Sequence, residues 1–242
     1  NMSHELRTPM NAILGMIDVA LPKATDPTVQ DCLQTAKGSA DLLLTLLNDL
    51  LDSAKIESGK LELELAPFSL RRMLDQITRV LSVRASEKGL CFYCRMPRET
   101  PDALVGDRMR LQQVLLNLAG NALKFTSQGG IAVDVACEQR TSSDARLRFS
   151  VTDTGIGIAP EDLKKLFTPF TQLDSSLARQ YTGTGLGLSM SYGIISKFGG
   201  NIIFTTFPAE EYPEKHGTVF TVYLPIVSEE AGGSEQQPAV SN

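Results

Sequence analysis

The stretch Asp153-Thr154-Gly155-Ile156-Gly157-Ile158 directly follows a run of residues near 146–153 whose pattern predicts a β-strand. Gly155 and Gly157 carry no Cβ, so the backbone there can approach a flat ligand closely. A carboxylate at the end of a strand, such as that of Asp153, can accept a hydrogen bond from an exocyclic amine like that of adenine. A strand-ending turn capped by an aspartate would use the same residues, so this stretch leaves both interpretations open.

A second glycine-rich stretch, Gly183-Thr184-Gly185-Leu186-Gly187-Leu188, opens a helix predicted from about residue 185 to 198. Backbone N–H groups at a helix N-terminus form a ready site for an anion. The stretch is not a P-loop, because no Gly-Lys-Ser/Thr follows it. It is not a dinucleotide-binding fingerprint either, because no βαβ unit surrounds it.

Polar residues also share one face of a helix predicted between Asp107 and Phe125. Asn117 and Asn121 are four residues apart and Lys124 follows three later, so all three lie on the same side. Two carboxamides and an ammonium group suit Mg²⁺ and phosphate oxygens. The alternative is an ordinary solvated helix face.

Between the two glycine-rich stretches lies Phe167-Thr168-Pro169-Phe170, followed by a long polar segment that includes Ser175, Ser176 and Arg179. An apolar anchor before a polar segment is typical of a hinged lid over a ligand. An ordinary loop is the alternative, although loops of this length in compact domains are uncommon unless they are functional.

The second part of the chain mixes helix and strand patterns in an order that predicts an α/β sandwich, with helices on one face of a mixed, mainly antiparallel sheet. Together with the helical first part this makes the fold class α+β. The predicted helices lie near residues 69–88, 107–125, 160–167 and 185–198. The predicted strands lie near residues 61–65, 90–95, 131–138, 146–153, 201–206 and 218–224.

Residues 1 to about 60 form a helical hairpin in this prediction, with a break between Pro22 and Pro27 and a helix end at Gly59. One hairpin cannot bury both of its apolar stripes, whereas two hairpins in a four-helix bundle can, which predicts a homodimer. Packing of the hairpin on its own C-terminal region is the alternative. The stripe on the second helix is a heptad seam of Leu33, Ala36, Ala40, Leu43, Leu47, Leu50 and Ala54.

The bulk composition narrows the class of protein. The 242 residues carry a formal net charge of -5, so no global basic field favours nucleic acid or an anionic membrane. No apolar run reaches the roughly 18 residues that span a bilayer. We therefore expect a soluble, cytoplasmic piece of a longer protein, whose membrane anchor, if it has one, lies outside this sequence.

Four cysteines occur, and two of them form the pair Cys91-x-x-Cys94. A zinc site would need a second pair of ligands, and neither His4 nor His216 has zinc-ligand spacing. The favoured interpretation is a strand in which the cysteines act as small hydrophobic residues. Disulfides are not expected, which fits a reducing compartment.

His4 lies in the stretch Ser3-His4-Glu5-Leu6-Arg7-Thr8-Pro9, off the apolar stripe of its helix. At pH 7 an ordinary imidazole is mostly neutral and nucleophilic. Glu5 can take the proton from the ring nitrogen that does not attack, and Thr8 lies one turn away on the same side. A solvated surface histidine is the alternative for His4 taken alone.

These stretches, in this order, resemble the motifs of the sensor histidine kinases of two-component signalling over about residues 1 to 228. Ser3 to Pro9 resembles the phosphoacceptor H box of that family. Four further stretches resemble other boxes of the family: residues 117–125 the N box, 153–158 the G1 box, 167–170 the F box and 183–188 the G2 box. The residues in and around these boxes are similar to those of hybrid kinases, in which a receiver domain follows.

The resemblance implies a dimerisation and histidine-phosphotransfer hairpin at 1–60, a Bergerat-type ATP-binding domain at 61–228 and a polar linker at 229–242. It implies that His4 accepts phosphate with Glu5 as base, that Asn117 and Asn121 serve Mg²⁺, and that residues 172–184 form an ATP lid. The residues implied to contact the nucleotide are Asn117, Asn121, Lys124, Phe125, Asp153, Gly155, Ile156, Gly157, Phe170, Arg179, Gly183, Thr184, Gly185, Leu186 and Gly187.

The implied activity is ATP-dependent phosphorylation of His4 and relay of the phosphate to an aspartate of a response-regulator receiver domain. Glu5 and Thr8 also resemble the family's phosphatase motif toward the phosphorylated receiver. A non-kinase ATPase of the same fold is one alternative, although those relatives have a glutamate at the position of Asn117. A degenerate kinase that only docks partners is the other. Thr182, where many relatives have glycine, is a small departure at the lid hinge.

Overall fold

The computed structural model describes residues 2–141, 144–171, 185–212 and 214–228, with only the backbone described for residues 2–7. The chain divides into two compact units, residues 1–60 and residues 61–242. None of the helices among the described residues is long and apolar enough to cross a membrane. The predicted lid at 172–184 and the predicted linker at 229–242 lie outside the described residues.

The first unit is the predicted helical hairpin. Helix α1 (Met2–Ala20) runs through Pro9 and is followed by a short 3₁₀ helix (Leu21–Lys23), and helix α2 (Pro27–Glu57) returns beside it. Proline at the first position of α2 costs no intrahelical hydrogen bond.

Local sequence signals mark both the start and the end of α2. Asp26 caps its N-terminus by accepting a hydrogen bond from the backbone N–H of Thr28 at 2.8 Å. At the C-terminus Gly59 adopts a φ of 71°, and the N–H of Lys60 donates to the carbonyl of Lys55 at 2.9 Å. This left-handed glycine closes the helix where the sequence predicted its end.

The hairpin of one chain leaves much apolar surface open. Ile17 and Ala40 are buried. In contrast, the seam residues Leu43 and Leu50 are 52% and 50% exposed, and Met16 of α1 is 73% exposed. The hairpin therefore buries only part of its two apolar stripes.

The second unit is built on a seven-stranded sheet among the described residues. The strands are β1 (Ala66–Ser69), β2 (Cys91–Arg95), β3 (Ala103–Gly106), β4 (Gly130–Arg140), β5 (Asp144–Asp153), β6 (Asn201–Phe207) and β7 (Gly217–Ser228). Their order is β1-β3-β7-β5-β4-β2, with β6 also paired to β7. Each of these pairs is antiparallel except β2 with β4, so the predicted mixed, mainly antiparallel sheet is confirmed.

Helices cover one face of this sheet. On β5 the side chains of Ala145, Leu147, Phe149 and Val151 are buried, whereas alternate residues are more exposed. The helices are α3 (Leu70–Glu87), α4 (Arg108–Phe125) and α5 (Gly187–Lys197), with a 3₁₀ helix at Pro160–Lys165. Helix α4 contacts α3, α5, β4 and β5, so it lies centrally in the layer of helices.

One strand prediction was wrong. Residues 61–65 form no strand, and the first strand is β1, which was not predicted. Leu65 is exposed, and the N–H of Glu64 donates to the Asp107 carboxylate rather than to a strand. Pro67, which has no N–H to donate, is tolerated because β1 is an edge strand.

Strand β3 was also missed, because four residues are too few to show a period of two. The Cys91 to Cys94 segment does form strand β2, as predicted. The interpretation of both cysteines as small hydrophobic residues was only half right, because Cys91 is exposed. Residues three apart on a strand point to opposite faces. Cys94 is the half-buried one, and burial raises the pKa of its thiol.

Candidate functional site

A buried carboxylate ends strand β5. Asp153 is 9% exposed, and its Oδ1 accepts hydrogen bonds from the backbone N–H of Gly155 at 2.8 Å and of Thr218 at 3.2 Å. Thr218 lies opposite Asp153 in the β5–β7 pair. The carboxylate is therefore held from its own turn and from the neighbouring strand.

The ionisation of this carboxyl group is shifted by its surroundings. Burial raises the pKa of Asp153 from 3.8 to about 6, against the lowering effects of the two backbone N–H groups and of nearby His216. At pH 7 the group is thus mostly charged, although it is buried. A buried, charged acceptor at the end of a strand is suited to bind an N–H donor.

Glycine is required at both predicted positions of the turn after Asp153. A Cβ at Gly155 would lie 2.6 Å from the carbonyl oxygen of Phe125. At Gly157, where φ is 71°, a Cβ would lie 2.4 Å from the carbonyl oxygen of Phe207. The closely packed neighbour of each glycine is therefore the protein's own backbone.

Strand β6 and the connection from it to β7 hold this turn from one side. The N–H of Ala209 donates to the carbonyl of Ile156 at 2.9 Å. The N–H of Ile158 donates to Oγ1 of Thr206 at 2.8 Å. At the end of the connection, directly before β7, Nδ1 of His216 lies 2.6 Å from the carbonyl oxygen of Gly155.

The end of helix α4 and the residues that follow it also hold this turn. The N–H of Ile156 donates to the carbonyl of Phe125, the last residue of α4, at 3.3 Å. The Oγ1 of Thr154 donates to the carbonyl of Gln128 at 2.9 Å and accepts from the N–H of Gly130 at 3.0 Å. The turn is thus attached to both the end of α4 and the start of β4.

The same helix reaches the second glycine-rich stretch. The side-chain amide of Asn117 donates to the carbonyl of Gly187, the first residue of α5, at 3.4 Å. Leu186, which precedes α5, has an apolar side chain and so provides no side-chain cap for the helix. Helix α4 therefore joins the two glycine-rich stretches, one near each end of its polar face.

The polar face of α4 also carries Asn121 and Lys124, both partly exposed. Burial lowers the pKa of the Lys124 ammonium group, whose Nζ lies 4.9 Å from the centre of the Phe125 ring. Asn121 and Lys124 therefore place an amide and an amine on the same helix face as Asn117.

Phe170 and Gly185 lie against each other, on either side of residues 172–184. Phe170 has a φ of 59°, which is rare for a residue with a Cβ. Gly185 has a φ of 69°, and a Cβ there would lie 2.9 Å from the carbonyl carbon of Phe170. The described residues on the two sides of 172–184 are therefore in contact.

Several predicted site residues lie wholly or partly outside the described residues. Arg179, Gly183 and Thr184 lie outside the described residues. His4 and Glu5 lie in helix α1, where the structure describes their backbone but not their side chains. Thr8 is exposed, one turn further along the same helix.

Three residues of this region were missed as site residues by sequence reasoning: Thr206, His216 and Thr218. Each contacts the turn at 153–158 from a strand or connection about fifty or more positions later in the chain. No local pattern marks them. Thr218 could be found only from the register of β7 against β5, which pairs it with Asp153, and the sequence alone did not predict that register.

These features form a glycine-rich turn with a buried carboxylate, a helix N-terminus and an amide-bearing helix that joins them. The chain matches the family model of histidine kinase-, DNA gyrase B- and HSP90-like ATPases at residues 106–228, more than half of its length. Residues 1–59 match the model of the His Kinase A (phospho-acceptor) domain. The chain therefore belongs to the histidine kinases, within the family of histidine kinase-, DNA gyrase B- and HSP90-like ATPases.

Two curated relatives are similar over most of the chain. The signal transduction histidine-protein kinase BarA of Escherichia coli K12 is 43% identical over 210 residues, which cover 86% of this chain and 23% of BarA. The sensor protein GacS of Pseudomonas syringae is 45% identical, covering 87% of this chain and 23% of GacS. The chain thus spans about a quarter of the length of these relatives.

A solved structure has the same fold. The crystal structure of full-length ShkA in complex with AMPPNP matches with a TM-score of 0.75 at 32% identity. The match covers 94% of this chain and 45% of ShkA.

Proposed function

We propose that this chain is the catalytic core of a protein histidine autokinase, which transfers the γ-phosphate of ATP to His4. In this proposal residues 1–60 are the dimerisation and phosphotransfer unit, residues 61–228 bind ATP, and residues 229–242 are a linker. Family membership supports this assignment. The observation that carries it is the position of α4, which contacts both glycine-rich stretches through Phe125 and Asn117.

The adenine end of the nucleotide would lie at the turn after β5. Asp153 supplies the acceptor for the exocyclic amine, because its charged carboxylate is buried and held by two backbone N–H groups. Gly155 and Gly157 keep side chains out of the turn. Ile156, between them, supplies apolar surface for the base.

The phosphates would lie at the N-terminus of α5. Backbone N–H groups at the start of a helix favour an anion, and Gly185, Leu186 and Gly187 lie at or next to the start of α5. Lys124 contributes a positive charge from α4. Phe170, Arg179, Gly183 and Thr184 would complete the site, together with the lid at 172–184.

The side chains of α4 fit a hard cation such as Mg²⁺. The Nδ2 of Asn117 donates to Gly187, which leaves Oδ1 as the atom of that amide that can bind a metal. Asn121, one turn further along the helix, adds a second amide oxygen. When bound, Mg²⁺ would neutralise charge on the phosphate oxygens.

At the hairpin, a ring nitrogen of His4 attacks the γ-phosphorus. The bond from that phosphorus to the bridging oxygen breaks, and ADP leaves. Glu5 accepts the proton from the other ring nitrogen. The resulting phosphohistidine is labile, so its phosphoryl group can move to an aspartate of a response-regulator receiver domain.

Two further parts of the proposal concern partners. The exposed seam residues Leu43 and Leu50 support a homodimer through the hairpin, because pairing would remove their apolar surface from water. Thr8, exposed one turn from His4, would orient a water against a phosphorylated receiver in the reverse, phosphatase reaction.

The central test uses ATP labelled in the γ-phosphate and compares the unsubstituted chain with His4→Gln. We expect acid-labile, base-stable label on the unsubstituted chain and none on the variant. The variant should still bind Mg-ATP in calorimetry, because His4 is not among the residues proposed to hold the nucleotide. Equal label on both proteins would contradict the assignment of His4.

Asn121→Ala tests the metal site separately. This variant should lose most of the Mg²⁺ dependence of its ATP affinity, because one amide oxygen is removed. Thr126→Ser, which keeps the hydroxyl that donates to the carbonyl of Ala122 near the end of the same helix, is the control. A Mg²⁺ dependence that is unchanged in Asn121→Ala would place the metal elsewhere.

A further inference from the structure

The imidazole of His216 makes a short hydrogen bond to the turn that follows β5. Its Nδ1 lies 2.6 Å from the carbonyl oxygen of Gly155, and the residue is partly buried. A carbonyl oxygen can only accept a hydrogen bond, so Nδ1 must carry the hydrogen. The geometry therefore assigns a donor role to His216 and specifies the tautomer of its neutral ring.

The two residues after His216 contact the same turn. Gly217, with a φ of 140°, packs so closely that a Cβ there would lie 2.0 Å from the carbonyl oxygen of Asp153. The N–H of Thr218 donates to the Asp153 carboxylate at 3.2 Å. His216 thus extends the contact between β7 and β5 beyond the end of the strand pair, onto Gly155.

Gly155 needs such a contact because its own side chain does not restrict its backbone conformation. A residue without a Cβ has the widest choice of backbone conformations. A Cβ at this position is excluded, because it would lie 2.6 Å from the carbonyl oxygen of Phe125. The conformation must therefore be held by hydrogen bonds, and Gly155 has one on each side. Its N–H donates to Asp153, and its carbonyl accepts from His216.

We propose that His216 is a positioning residue for base recognition, which holds Gly155 so that the Asp153 carboxylate is fixed toward the exocyclic amine of adenine. This inference rests on the proposed ATP-binding function. His216 acts through Gly155 and need not touch the nucleotide. Its effect is pre-organisation, since a turn that is already ordered loses less entropy when a ligand binds.

The charge of the surroundings agrees with this role. Burial raises the pKa of Asp153, whereas the backbone N–H groups of Gly155 and Thr218 and, last, positive charge on His216 lower it. Positive charge on the imidazole would thus favour the ionised carboxylate that accepts from an amine. Glu214 and Lys215, which precede it on the β6–β7 connection, are both exposed.

The test measures binding of two nucleotides by calorimetry: ADP, and purine riboside diphosphate, which lacks the exocyclic amine. We expect His216→Ala to weaken ADP binding about tenfold, the effect of one hydrogen bond of about 1.4 kcal/mol. Binding of the purine riboside diphosphate should change less than about twofold, because that ligand does not use Asp153. His216→Asn, whose amide can donate from nearly the same place as Nδ1, should restore most of the ADP affinity.

Glu214→Ala is the matched control on the same connection and should bind both nucleotides normally. Equal loss of both nucleotides in His216→Ala, or no loss of ADP, would overturn the inference. So would a failure of His216→Asn to recover ADP binding. Failure of the unsubstituted chain to bind either nucleotide would instead contradict the proposed function.

A second measurement does not depend on whether the His216 variants fold. The chain has two histidines, so His4→Gln leaves His216 as the only imidazole. Its ¹⁵N shifts at a pH above 8 should show the proton on Nδ1. A proton on Nε2 would rule out the hydrogen bond to Gly155 and with it the inference.

Discussion

The side-chain amide of Asn117 donates a hydrogen bond to the carbonyl of Gly187 at 3.4 Å, which joins α4 to the first residue of α5. Eight residues later α4 ends at Phe125, whose carbonyl accepts from the N–H of Ile156 in the turn after β5. One helix thus connects the two stretches proposed for the phosphates and for the base. Substitutions at the two ends of α4 should affect different parts of nucleotide binding.

Asp153→Asn is expected to stabilise the second unit at pH 8 by about 1–3 kcal/mol. Burial raises the pKa of Asp153 from 3.8 to about 6, so the charged form at pH 8 is less favourable in the folded state than in the unfolded chain. Asparagine removes that charge, and its Oδ1 can still accept from Gly155 and Thr218. Urea unfolding at several pH values would measure the difference in free energy.

The sign of the pH dependence is part of this prediction. Because the folded pKa lies above the unfolded one, the penalty is fully present above pH 6 and disappears as the pH falls toward 4. The advantage of Asp153→Asn should shrink over the same range. Asp134→Asn, which loses a surface ion pair with Arg95, is the control and should change stability by no more than about 1 kcal/mol. A variant less stable than the unsubstituted chain at pH 8 would contradict the prediction.

The affinity for ADP should fall as the pH is lowered through about 6, because Asp153 then gains a proton and becomes a weaker acceptor. ADP itself also titrates near this pH. The informative quantity is therefore the ratio of the affinities for ADP and for purine riboside diphosphate, which carry the same phosphates. That ratio should decrease below pH 6 in the unsubstituted chain and stay constant in Asp153→Asn. A ratio that does not vary with pH would show that Asp153 does not bind the amine.

Gly185→Ala should destabilise the second unit by about 1–2 kcal/mol and weaken ADP binding. The position has a φ of 69°, which is unfavourable for alanine, and the new Cβ would lie 2.9 Å from backbone atoms of Phe170 and Thr171. Thermal unfolding and calorimetry would measure the two effects. In Gly38→Ala, the control, the helical backbone accepts a Cβ with nothing within 4 Å, so ADP binding should not change. Normal binding by Gly185→Ala would show that the start of α5 does not contact the nucleotide.

Leu50→Glu should convert the proposed dimer to a monomer or weaken it at least tenfold. Leu50 is 50% exposed in a single chain and lies on the heptad seam, so a charge there would be buried on pairing. Light scattering during gel filtration would report the mass. Thr45→Glu, on the polar side of the same helix, should remain dimeric. If both variants keep the mass of the unsubstituted chain, the seam is not the interface.

The sequence predicted most of the elements near the site, because their signals are local. Helix α4 follows from an apolar period of 3.6 and from Asp107, which caps it by accepting from the N–H of Arg110 at 3.0 Å. Strand β5 follows from alternation. The error at 61–65 has the same origin, because Leu61, Leu63 and Leu65 alternate like a strand although no neighbouring strand pairs with them.

The contacts within the site could not be predicted in this way. Thr206, His216 and Thr218 reach the turn at 153–158 through the pairing of β7 with both β5 and β6. The register of strands so far apart in sequence depends on how the whole sheet packs, and the pattern of a single strand does not specify it. Neighbouring residues therefore gave no sign that His216 meets Gly155.

By itself, the sequence determined most of the helices and strands, where glycine is needed, and which residue types are available to a nucleotide, because backbone preference and side-chain chemistry act over a few residues. The tertiary structure decided which of these residues meet. It placed Asn117 against Gly187 and it buried Asp153, and this burial raises the pKa of the carboxyl group to about 6. Burial and hydrogen-bond partners arise only when distant segments pack together, so no local pattern could have specified them.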